Sequence, residues 1–213
     1  MKILIIKLSS IGDVIHTLPV LSAVRQALPK AEISWVVEKS SAEILRGNPL
    51  INKLIEVDTK SLRKKDAFGK NFSLARESLR QLRSTKYDLT LDFQGLFKSA
   101  AIAKLARAKR RVGFAKESLR EPGSRFLLTE TFSVEPKTNV IVKNLSLAEK
   151  ALKISVPDKN FEFPIFTDEK HKSEAEEIIA QADKKFAILN PATSWVTKLW
   201  SAEKSGQLAD KLW

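Results

Sequence analysis

Short apolar runs alternate with helical stretches along the first half of this 213-residue chain. Lys2 to Lys7, Ile33 to Val37, Leu54 to Val57, Tyr87 to Phe93 and Arg110 to Phe114 read as strands. Between them, Val14 to Arg25, Ser41 to Arg46, Phe72 to Arg83 and Phe97 to Arg107 repeat apolar residues at helical spacing. Strand–helix–strand units of this kind impose a parallel sheet covered on both faces. Ligands of such sheets bind beyond the carboxyl ends of the strands. Three turns leave strands at that edge: Ser9 to Asp13, Asp58 to Lys65 and Asp92 to Lys98.

After Glu121-Pro122-Gly123 the pattern loosens. A helix is expected over Thr138 to Leu152, then a polar linker, Pro157-Asp158-Lys159-Asn160. A new unit follows: a helix over Asp168 to Ala182, a strand at Phe186 to Leu189 and a helix from about Ser201. Roughly 45 residues of helix, strand and helix cannot build a core alone. The expectation is therefore one complete α/β domain over 1–157, and over 158–213 a linker with the truncated start of a second domain.

Composition narrows the function. Cysteine is absent, which excludes a disulfide framework, a thiolate metal site and a cysteine nucleophile. No apolar run nears the roughly 18 residues that span a bilayer. The opening Met-Lys-Ile-Leu-Ile-Ile is too short for a signal-peptide core, so a cytoplasmic protein is expected. The net charge is +12, and residues 59–120 alone hold 17 Lys and Arg against 5 Asp and Glu. That concentration suits a polyanion: nucleic acid, an anionic membrane surface, or an acidic or phosphorylated substrate. A plain solvated basic face remains the alternative.

Ser9-Ser10-Ile11-Gly12-Asp13 lies between the first strand and its helix, and matches neither the dinucleotide fingerprint nor the P-loop. Gly12 permits close backbone approach, and a helix N-terminus offers free N–H groups. Asp13 reads either as a first-turn carboxylate that stabilises its helix or as a general base at the binding edge. His16, one turn on, reads as a packed or capping residue. Asp92-Phe93-Gln94-Gly95 either forms a turn or binds a sugar hydroxyl. The basic loop 59–65 and the Arg120-Glu121-Pro122 turn place cations where an anion can be held. Near the other end, Thr193, Ser194 and Lys198 put hydroxyls and a point charge in a turn suited to phosphate oxygens.

These blocks resemble glycosyltransferase family 9. Lys7 to Pro19 (Lys-Leu-Ser-Ser-Ile-Gly-Asp-Val-Ile-His-Thr-Leu-Pro) is similar to the family's opening, and looks more like its type I heptosyltransferases than type II. Leu91 to Ala100, Arg120-Glu121-Pro122 and Lys198-Leu199-Trp200 resemble later blocks in the same order. The resemblance implies a GT-B architecture of two Rossmann-like domains. It implies inverting transfer of L-glycero-D-manno-heptose from ADP-heptose to the Kdo residues of Kdo-lipid A, with no metal and no other cofactor.

Residue by residue, it makes Asp13 the base and places Thr193, Ser194 and Lys198 at the donor phosphates. It puts Ser10, Gly12, Lys60, Arg63, Lys64, Gln94 and Arg120 at the acceptor. A cationic first domain then meets an anionic acceptor at the cytoplasmic face of the inner membrane, and no nucleic acid is expected. The family's remaining C-terminal half is not in this sequence, so the 213 residues alone are expected to lack transfer activity. Two readings of other classes stand beside this one: a basic nucleic-acid-binding protein, and a non-catalytic peripheral membrane module.

Overall fold

The computed structural model describes residues 1–59, 61, 68–135, 138–156, 161–181, 186–191 and 199–212. It contains two compact units, Met1–Phe166 and Thr167–Trp213. The first is a six-stranded sheet of β1 (Lys2–Ile6), β2 (Glu32–Glu38), β3 (Lys53–Val57), β4 (Leu89–Asp92), β5 (Arg110–Phe114) and β6 (Glu130–Phe132). The spatial order is β3-β2-β1-β4-β5-β6, and every neighbouring pair is parallel. The chain builds outward from β1 to β3, then returns to add β4 on the other side of β1. Loops leaving β1 and β4 diverge there, which opens the crevice expected at a topological switch point.

Successive strand residues face opposite ways, so each strand feeds two cores. Ile3 and Ile5 join Ile33, Trp35 and Val37 on one face, with Leu21 of α2 (Leu18–Ala27) and Leu147 of α5 (Val140–Leu152). Leu4, Ile6 and Val36 pack on the other, with Leu82 of α3 (Phe68–Arg83) and Ala103 of α4 (Phe97–Leu105). The doubly covered parallel sheet expected from the sequence is what forms.

Several details differ from expectation. The helix over Val14 to Arg25 is two helices, α1 (Ile11–Ile15) and α2, because Pro19 has no N–H to continue the ladder. Thr17 bridges the break, its hydroxyl donating to the Asp13 carbonyl at 2.9 Å. Ser41 to Arg46 is not an α-helix but part of two 3₁₀ turns, Lys39–Ser41 and Glu43–Leu45. Gly47 follows just beyond the second, and its φ of +68° suits glycine. β6 was not foreseen: its three residues, Glu-Thr-Phe, carry no apolar alternation. A two-pronged pair holds it, Arg110 Nε to Glu130 Oε1 and Arg110 Nη2 to Glu130 Oε2, both 2.7 Å.

The expected boundary at 157/158 falls among residues outside those described. The first unit itself continues to Phe166: Glu162 accepts from Ser22 at 2.5 Å, and the Pro164 carbonyl accepts from Asn48 at 2.7 Å. Within the second unit, α6 (Glu169–Ala180) is capped by Asp168, which accepts from the His171 N–H at 2.9 Å. α7 spans Ala202–Leu212. The strand expected at Phe186 to Leu189 does not form; these residues are irregular. A lone strand has no neighbour to satisfy its backbone, and Ile188 stays 83% exposed. No helix among the described residues is long and apolar enough to cross a membrane.

Candidate active site

The crevice at the β1/β4 switch point is a cleft of about 130 Å³, lined among others by Lys7, Asp13, Gln94, Arg120, Lys143 and Asn144. Its floor is set by β4. Asp92 is fully buried at the strand's end, where Oδ1 accepts from the backbone N–H groups of Gln94 (2.9 Å) and Gly95 (3.2 Å). Oδ2 accepts from Ser99 Oγ at 2.9 Å. This is the turn-forming role weighed for Asp92, and Gly95 completes it with a φ of +69°. Gln94 then reaches across to the β1 loop. Its Oε1 accepts from the N–H groups of Leu8 (2.9 Å) and Ser9 (3.2 Å). Both partners are donors, which fixes the oxygen as the facing atom and leaves the amide NH₂ to donate elsewhere.

Asp13 sits half-buried on α1. Its Oδ2 accepts from the Ser10 backbone N–H (2.9 Å) and from Ser10 Oγ (3.1 Å), so it also closes the first turn of the helix. Burial works to raise its pKa. The Ser10 N–H, the Lys7 ammonium, the Ser10 hydroxyl and Arg120 outweigh that and hold the carboxyl below its ordinary range. A carboxylate held ionised in this way can accept a proton over the whole neutral range. Gly12 beside it is exposed, and a Cβ there would meet nothing within 4 Å. The fold therefore does not require glycine at position 12, which leaves an open approach to the helix N-terminus.

Three cations line the same cleft, and two of them, Lys7 and Arg120, act on that carboxylate. Lys7 is buried, donates to the Phe93 carbonyl at 3.0 Å, and has its pKa lowered by burial, an effect that Asp13 and Asp92 oppose. Lys143, on α5, lies 4.7 Å over the Phe114 ring and donates to the Ser118 carbonyl at 3.1 Å. Burial lowers its pKa as well. Arg120 is exposed at the rim. Sequence reasoning named Arg120 but missed Lys7 and Lys143 as site residues. Lys7 ends an apolar strand, the one local sign of a lysine carried inside.

The structure thus brings together Ser10, Gly12, Asp13, Gln94 and Arg120. Lys60, Arg63, Lys64, Thr193, Ser194 and Lys198 lie outside the described residues. His16 caps the C-terminus of α1, and its carbonyl accepts from Asn144 Nδ2 at 3.3 Å.

Asp92 gives a test of the floor. Burial pushes its pKa up to about 6, from an ordinary 3.8. The folded state then holds a proton that the unfolded state has lost, so stability is greatest below about pH 4 and declines as pH rises through 6. The decline from this residue is about 3 kcal/mol. Asp92→Asn keeps Oδ1 for Gln94 and Gly95 while its new NH₂ donates to Ser99. Urea midpoints between pH 4.5 and 7.5 should fall for the native chain and stay flatter in the variant. Equal slopes would exclude Asp92 as the cause.

The strand order and the switch-point crevice define a doubly wound, Rossmann-like α/β domain. The model of the family described as glycosyltransferase family 9 (heptosyltransferase) matches residues 75–213. Lipopolysaccharide heptosyltransferase 1 of Pseudomonas aeruginosa is 28% identical over 214 residues, covering 100% of this chain and 58% of that protein. The Escherichia coli K12 protein of the same name is 32% identical over 167 residues, 78% of this chain and 52% of its own length. Escherichia coli heptosyltransferase WaaC, solved with ADP, superposes with a TM-score of 0.84 at 27% identity, over 100% of this chain and 64% of its own. WaaC solved with ADP-2-deoxy-2-fluoro heptose gives 0.82, also at 27% identity, over 100% of this chain and 65% of its own. The chain belongs to glycosyltransferase family 9. It spans little more than half the length of these curated relatives.

Proposed function

We propose that the full-length protein transfers L-glycero-D-manno-heptose from ADP-heptose to a Kdo residue of Kdo-lipid A, with inversion and without a metal ion. Full-length here means this chain with the C-terminal part that its relatives carry, or a chimera with that part of the Pseudomonas aeruginosa relative. The observation that carries the reading is one ionised carboxylate, Asp13, acted on by Lys7 and Arg120 in a switch-point cleft that Lys143 also lines. The names of the relatives support the donor and the pathway.

In this reading Asp13 takes the proton of the attacking Kdo hydroxyl as its oxygen bonds to the anomeric carbon. The bond from that carbon to the diphosphate breaks on the opposite face, and ADP leaves with the electron pair. Lys198, with Thr193 and Ser194, meets the growing charge on the diphosphate. Arg120, with Lys60, Arg63 and Lys64, holds carboxylate and phosphate groups of the acceptor. Ser10 fixes the Asp13 carboxylate, Gly12 leaves the approach open, and Gln94 offers its amide to an acceptor hydroxyl. The Ser10 N–H, and after it Lys7, keeps Asp13 ionised. An anionic acceptor embedded in a membrane explains the basic window, and places the protein peripherally on the cytoplasmic face of the inner membrane. The 213 residues span little more than half the length of these relatives and are proposed to be inactive alone.

The test is release of ADP from ADP-heptose by the full-length protein in the presence of a chelator. The reading expects release that depends on a Kdo-bearing acceptor and a product heavier by one heptose. Release at the same rate without acceptor, or no heptosylated product, would overturn it.

A further inference from the structure

A second buried acid lies at the same edge of the sheet, outside the cleft. Glu38 ends β2, and its side chain is 2% exposed. Its Oε2 accepts from the Thr59 backbone N–H at 3.1 Å, and its Oε1 accepts from the Thr59 hydroxyl and from Lys98 Nζ, the latter at 3.3 Å. Lys98 Nζ also lies 3.4 Å from Thr59 Oγ1. Each partner belongs to a loop that matters. Thr59 follows β3 and opens the basic segment, with Ser61 held in turn by Asp58 Oδ1 at 2.9 Å. Lys98 stands in the first turn of α4, beside Ser99, whose hydroxyl is bonded to Asp92. The Glu38 N–H donates to the Leu8 carbonyl at 2.9 Å, next to the loop that carries Asp13.

One buried residue therefore joins the segments after β1, β3 and β4: its carboxylate holds Thr59 and Lys98, and its backbone N–H holds the Leu8 carbonyl. Burying a charge is costly unless it is paired and hydrogen-bonded. A sheet edge that needed only stability could place an apolar residue here. We propose that Glu38 is a positioning residue: with Lys98 it clamps Thr59 and so fixes the root of the basic segment relative to the cleft, setting how the anionic acceptor is presented to Asp13. This rests on the transferase reading above.

The experiment uses the full-length protein with two variants, Glu38→Gln and Thr59→Val. The first removes the charge, and the second removes only the hydroxyl, so it tests the clamp even if the first folds poorly. Two readouts are taken. One is the rate of trypsin cleavage after Lys60, compared with cleavage after Lys170, whose side chain is 78% exposed in the other unit. The other is the separate KM values for acceptor and donor, with kcat. The clamp predicts cleavage after Lys60 about fivefold faster or more, with Lys170 unchanged. It also predicts an acceptor KM about tenfold higher, with donor KM and kcat within about twofold.

Native cleavage rates after Lys60 in both variants would overturn the clamp. Faster cleavage with an unchanged acceptor KM would overturn its role in acceptor presentation. If the native full-length protein transfers no heptose, the transferase reading fails and takes the acceptor role with it, while the cleavage rates still decide the clamp.

Discussion

Asp13→Asn in the full-length protein should lower turnover by about 10²–10⁴ while shifting the melting temperature by no more than a few degrees. The two effects separate because the structural role of Asp13 and its proposed chemical role depend on different properties. Its structural role is to accept from the Ser10 N–H at 2.9 Å, and an asparagine oxygen does that too. What is lost structurally is a charge at a helix N-terminus, about 0.3–1 kcal/mol. Its chemical role needs a carboxylate that can take a proton, which an amide cannot do. Turnover within about threefold of native, in a protein that melts normally, would be too small an effect for a lost base. Asp13 would then be a capping residue only.

The largest stability effect is expected at Trp35, beneath the same loop. Trp35 lies on β2, is fully buried, and donates its indole N–H to the Lys7 carbonyl at 3.2 Å. Trp35→Ala empties the centre of one core and costs about 3–5 kcal/mol. It also strands the Lys7 carbonyl, a further penalty of about 1–3 kcal/mol unless water enters. Domains of this kind are stable by only about 5–15 kcal/mol, so the variant should be partly unfolded at 37 °C. Trp35→Phe keeps most of the packing and loses the hydrogen bond, and its cost should be well under half as large. Urea unfolding measures both. A loss below about 1.5 kcal/mol for Trp35→Ala would mean that the core closes over the gap, contrary to the tight packing described here.

Much of the fold was legible because parallel strands buried on both faces are short apolar runs wherever they occur. Lys2 to Lys7 and Ile33 to Val37 needed no tertiary information. β6 was not legible, since Glu130, Thr131 and Phe132 form a strand only through pairing with β5 and the Arg110–Glu130 bridge. Phe186 to Leu189 erred the other way: an apolar run predicts a strand, but a strand also needs a neighbour. At the site, Asp13, Gly12 and Arg120 lay in recognisable blocks. Lys143 did not, because it reaches the cleft from α5 through its contact with Phe114, 29 residues earlier, and helical spacing says nothing of that meeting. Glu38 was hidden for a similar reason: a charged residue at a strand end reads as solvent-facing until Thr59 and Lys98 are placed around it.

The proposed base, Asp13, has its carboxyl held below the ordinary range. Asp92, the buried acid at the end of β4, has its pKa pushed up to about 6. The pH dependence of kcat/KM for a Kdo acceptor without phosphate groups separates them, since the acidic limb reports the base of the free enzyme. Between pH 8 and 4.5 the full-length protein should keep its rate within about twofold, with the limb falling only below about pH 4. Half the rate lost near pH 6, in a protein still folded by circular dichroism, would contradict Asp13 as the base and point to Asp92 instead.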